Sequence, residues 1–115
     1  MTLDQLLSGV NTKHAFLLGG IAIAYSERKR ARDNLKEAEK SKEAAIRENR
    51  TMGIYEDCGD FYQSLVDRAE GAERRALAEK VSKEKHFKKL CHEYEEAGGD
   101  PHTIALLQAI LNEQT

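Results

Sequence analysis

Gly53-Ile54-Tyr55-Glu56-Asp57-Cys58-Gly59 separates two long, highly charged, alanine-rich segments that contain no proline. Taken as a turn, it folds residues 25–97 into one helical hairpin. Residues whose numbers sum to about 112 then face each other. Met52 meets Phe61, Ile46 meets Leu65 and Val66, Leu35 meets Leu77, and Ala31 meets Val81. Tyr25 meets Phe87, Ile21 meets Leu90 and Cys91, and Leu18 meets Tyr94. At mid-length Ala38, Ser41, Ala44 and Ala45 oppose Ala69, Gly71, Ala72 and Ala76. Large residues matched to large and small to small is the pattern of two antiparallel helices in close approach. Gly71 is expected to be repaid by backbone proximity opposite Ser41, since glycine inside a helix costs roughly 1 kcal/mol against alanine.

End signals agree with this reading. Gly53 suits the residue that closes the first long helix, and Asp60 with Gln63 suits the cap of the second. Gly98-Gly99 ends it. Upstream, Thr2 with Gln5 forms a capping box, and Leu3, Leu6, Leu7 and Val10 make the stripe of a short amphipathic helix. Asn11 or Thr12 caps the next helix. Residues 13–25 are the most apolar part of the chain and are apolar all round, which predicts burial on several sides. Gly19-Gly20 there marks a kink or a close neighbour, and a strand over 20–25 would have no partner. Asp100-Pro101 opens a last helix, as N-cap and first helical residue, carrying Ile104, Leu106, Leu107, Ile110 and Leu111. The expected architecture is all-α: head helices in 1–24 and 98–115, packed at the base of a coiled-coil-like arm.

Composition narrows the class. Of 115 residues, 33% are charged and 6% aromatic, with no tryptophan and one proline, which favours long solvated helices in one domain. An alanine-lined arm buries little apolar area and is weakly held alone. Self-association or a partner is therefore expected to contribute, with Leu3, Leu7, Leu107 and Leu111 exposed as the oligomerisation surface. Cys58 and Cys91 fall at opposite ends of the hairpin, too far apart for a disulfide, and two lone thiols suit a reducing cytoplasm. The longest apolar run, Ala15 to Tyr25, is too short to span a bilayer.

Three groups of side chains invite a chemical reading. Arg28, Lys29, Arg30 and Arg32 fall beside Lys80, Lys83, Lys85, Lys88 and Lys89 in the paired register, a cluster suited to nucleic-acid or nucleotide phosphates. The tip Tyr55-Glu56-Asp57-Cys58-Gly59-Asp60-Phe61-Tyr62 sets carboxylates among aromatic anchors, with Tyr55, Glu56, Asp57, Asp60 and Tyr62 as the partner-binding set. An acidic-tipped arm resembles, in outline, the coiled-coil transcription factors that enter the secondary channel of RNA polymerase, but their zinc-finger cysteines and tip motifs are absent here. Last, His14, His86, Cys91, His92 and His102 all fall near the base, at helical spacings that do not converge on one point. The sequence thus predicts no catalytic residues, no metal site and no cofactor. It predicts a cytoplasmic, non-enzymatic adaptor or inhibitor that self-associates and binds a protein partner.

Overall fold

The computed structural model describes residues 1–52 and 59–113. Four helices follow in order: α1 (Leu3–Ser8), α2 (Thr12–Met52), α3 (Gly59–Glu96) and α4 (Pro101–Glu113). Among the described residues there is no strand, and α2 runs through 20–25 and Gly19-Gly20 without interruption. The two long helices pack against each other as a helical hairpin with short flanking helices. Tyr25–Phe87 and Asn49–Gln63 both total 112, as the centred pairing requires. Lys83–Glu27 and Lys42–Glu73 total 110 and 115.

Local signals set the helix ends. The Thr2 hydroxyl accepts from the Gln5 amide at 3.2 Å and the Gln5 side chain accepts from the Thr2 amide at 2.9 Å, completing the capping box of α1. Asn11 Oδ1 accepts from the His14 amide at 2.7 Å and so caps α2. At the end of α3 the Gly98 amide donates to the Glu95 carbonyl and the Gly99 amide to the Tyr94 carbonyl. With Gly98 at φ +89°, this is a Schellman closure. Asp100 Oδ1 then accepts from the His102 amide at 2.9 Å, with Pro101 as the first helical residue of α4.

One cap differs from expectation. Asp60 already lies in the first turn of α3, where its carboxylate faces the positive helix end. Gln63 does not close a box with it. Its carbonyl accepts from Asn49 Nδ2 at 3.2 Å and its amide donates to Asp67 at 3.1 Å. The long side chain finds a partner on the neighbouring helix, and that bond replaces the local one. Gly53, Tyr55, Glu56, Asp57 and Cys58 lie outside the described residues.

The chain forms two compact units. The head is Met1–Lys29 with Lys83–Thr115, and the arm is Arg30–Ser82. The head core joins Leu6, Leu18, Ile21, Ala22, Ala24, Phe87, Tyr94, Ile104, Leu107 and Ile110, with Leu3, Leu7, Val10, Leu17, Tyr25, Leu90, Cys91 and Leu111 packed against it. The arm has a thin core, Ala31, Leu35 and Val66. Leu77 and Val81, expected to face Leu35 and Ala31, are about half exposed.

Gly71 also departs from expectation. A β-carbon built there meets only an Arg75 side-chain nitrogen, at 3.5 Å. No backbone approaches it, and its cost to helix propensity has no local compensation within the chain.

Candidate functional site

In the head, α2, α3 and α4 converge on an aromatic and cationic cluster. The guanidinium of Arg28 lies 4.3 Å from the Phe87 ring centroid and 5.0 Å from that of Tyr25. The two rings tilt against each other at 5.9 Å. The Tyr25 hydroxyl donates to Asn112 Oδ1 on α4. The negative faces of the rings attract the cation, so Arg28 holds α2 to α3 through stacking. Its Nε is buried without a hydrogen-bond partner. Neighbouring Cys91 has its thiol pKa raised, by burial first and by the Glu95 carboxylate second, against an opposing pull from Arg28. A neutral thiol of this kind is a weak nucleophile.

Beside this cluster, His14 meets Tyr94 edge to face at 5.3 Å and its Nε2 lies 3.0 Å from the Ala97 carbonyl oxygen. His92 pairs with Glu96 at 2.8 Å on the α3 surface. Among the described residues no three His, Cys, Asp or Glu side chains form a group able to hold a metal ion.

The basic residues are divided. Arg28, Lys29, Lys85, Lys88 and Lys89 belong to the head, and Arg30 and Arg32 to the arm. Arg28 is committed to its rings, and Lys83 is paired with Glu27 at 3.0 Å. Lys85, Lys88 and Lys89 are exposed on α3. In the tip set only Asp60 and Tyr62 are described: Asp60 is exposed, and Tyr62 is half-buried with Phe61 edge-on at 5.2 Å. Tyr55, Glu56 and Asp57 fall outside the described residues.

Of the four leucines expected to be exposed, one is buried and three are half-buried. Leu107 is 0% exposed, and Leu3, Leu7 and Leu111 pack against the core. α1 and α4 contact each other, and their apolar residues join one core cluster with residues of the two long helices.

The apolar surface lies elsewhere. On α2, Phe16 is 81% exposed and Ile23 64% exposed. They flank Gly19 and Gly20 and, with Ala15, line a shallow open groove. The expectation that 13–25 is buried on several sides is therefore corrected. Leu18 and Ile21 face inward while the opposite side of the helix is bare. A helical wheel contains the signal: positions 16, 19, 20 and 23 fall on one side at 100° per residue, away from 18 and 21. In the arm, Phe61, Leu77 and Val81 on α3 are also exposed. Among the described residues no helix is long and apolar enough to cross a membrane. Comparison with protein-family models, with curated protein sequences and with solved structures found no match.

Proposed function

We propose that this chain is a non-enzymatic interaction module, a small adaptor or inhibitor that self-associates and binds a macromolecular partner through its helical arm. The carrying observation is apolar surface left in water on the arm. Phe61 is 61% exposed, and Leu77 and Val81, one turn apart on α3, are 49% and 44% exposed. Such side chains gain about 25 cal/mol per Å² when a partner covers them. The thin arm core supports the same reading, because a partner that binds the folded arm also stabilises it. The cytoplasm suits a free thiol such as Cys91. The test is affinity capture with the intact protein against a Leu77→Glu/Val81→Glu variant of unchanged helicity. A partner retained by the parent and lost by the variant supports the reading. Equal capture by both refutes the arm as the binding surface.

A second reading, binding of nucleic-acid or nucleotide phosphates, draws on exposed Lys85, Lys88 and Lys89. It requires binding that weakens steeply with salt and is lost when these three lysines are made neutral. Binding that ignores salt removes it.

A further inference from the structure

We infer that the bare face of α2, Phe16-Gly19-Gly20-Ile23, is the seat of a second copy of this chain, crossed antiparallel about a two-fold axis between Gly19 and Gly20. The inference rests on the self-association proposed above and replaces the surface expected for it.

The first argument is shape. A two-fold contact must be self-complementary, because the same patch serves both copies. With the axis between residues 19 and 20, Phe16 of one copy falls opposite Ile23 of the other, and Gly19 falls opposite Gly20. Each copy therefore offers two exposed knobs flanking two half-buried glycines, with its own Leu90 side chain 4.0 Å from a β-carbon built on Gly20. Leaving aside the terminal Met1, Phe16 and Ile23 are the two most exposed large apolar residues among the described residues.

The second argument is Gly19 itself. A β-carbon built there meets nothing within 4 Å, so nothing inside the chain requires glycine. Glycine inside a helix is destabilising, and one accepted use is close approach by another backbone. A second α2 crossing at this point supplies that approach.

The third argument is charge. From Ala15 to Ser26 the helix carries no charged side chain, so the contact desolvates none. Its two rims are Lys13 and Glu27. The antiparallel crossing sets Lys13 of one copy near Glu27 of the other, whereas a parallel crossing sets like charges together. Glu27 also pairs with Lys83 within its own chain, so Lys13 of the other copy joins an existing ion pair.

Area sets the class of contact. Two phenylalanines buried across the contact account for roughly 300–500 Å². With the isoleucines and the glycine backbones between them the total approaches about 1,000 Å², the lower end for a specific interface. A contact of this size belongs with weak, transient association.

Sedimentation equilibrium of the intact protein from about 10 µM to 1 mM tests this directly. Phe16→Glu and Ile23→Lys change exposed positions, and circular dichroism checks that each folds. Each variant alone is expected to dimerise at least ten-fold more weakly than the parent. Mixing the two is expected to restore association. In that heterodimer one crossing keeps the Phe16–Ile23 contact, and the other sets the new glutamate against the new lysine. A parallel crossing gives no such rescue. A dimer that both variants leave unchanged overturns this face while leaving self-association intact. A parent that stays monomeric at 1 mM overturns both. A monomeric parent that sediments with phosphatidylcholine–phosphatidylglycerol vesicles, and loses this with Phe16→Glu, assigns the face to lipid and also overturns the dimer.

Discussion

Gly99→Ala is expected to destabilise the fold through one side chain, Tyr94. A β-carbon on Gly99 would stand 2.6 Å from Tyr94 Cδ1 and closer still to Cε1 and Cζ. Carbon atoms prefer about 3.5–4.0 Å, so the ring must move by about 1 Å. It has nowhere to go. Tyr94 is 1% exposed and is met edge-on by His14. Over-packing of this kind costs about 1–3 kcal/mol, and a nearly sealed ring belongs at the upper end. Restricting the unfolded chain returns about 0.4–1 kcal/mol, which leaves a net loss of about 2 kcal/mol. Urea unfolding followed by circular dichroism reads this as a midpoint lower by about 1 M, for a slope near 2 kcal/mol/M. Tyr94→Val removes the ring atoms and serves as the second background. There the same glycine substitution should be neutral or slightly stabilising, a coupling of about 2 kcal/mol. Gly98→Ala is the control. Its cost of about 1–2 kcal/mol comes from the φ of +89° with no neighbour within 4 Å, so it should be the same in both backgrounds. A loss below about 0.5 kcal/mol for Gly99→Ala, or an equal loss with and without the ring, would refute the reasoning.

Three further substitutions bear on the fold. Gly71→Ala should raise stability by about 0.5–1 kcal/mol in a thermal melt, because only a flexible arginine end lies near the new methyl group. Leu107→Ala should cost about 2–5 kcal/mol in urea unfolding and leave the dimer constant of the folded protein unchanged, since that side chain is core and not interface. The raised Cys91 pKa makes stability pH-dependent on the alkaline side. The unfolded thiol ionises from its ordinary value of 9.0, while the folded one stays protonated to higher pH. Stability is therefore full below pH 9.0 and falls as pH rises through the folded value. Cys91→Ala should flatten that fall in a urea series from pH 8 to about 10.5.

How much of this was readable in the chain depends on the range of the interaction concerned. Thr2, Asn11, Gly98 and Asp100-Pro101 act on backbone groups within a turn of themselves, and each ends or starts a helix where its local chemistry demands. The hairpin register was legible to within a few residues, because Tyr25–Phe87 and Asn49–Gln63 follow from matching two linear patterns about a centre, whereas the close approach expected at Gly71 is absent. The candidate site was not. Pattern matching pairs two helices, but a residue's exposure depends on every helix that reaches it.

Sequence alone thus determined that the chain is helical, most of its described caps, and the antiparallel pairing of the two long helices, since these depend on short-range backbone bonding and apolar periodicity. Tertiary structure alone decided the surface. Mutual contact of α1 and α4 closed over Leu107 and drew in Leu3, Leu7 and Leu111. With α3 and the short helices gathered on one side of α2, Phe16 and Ile23 were left bare on the other, with half-buried Gly19 and Gly20 between them. The physical reason is that burial is a property of three-dimensional coverage: a helix that is apolar all round still loses only the side its neighbours can reach.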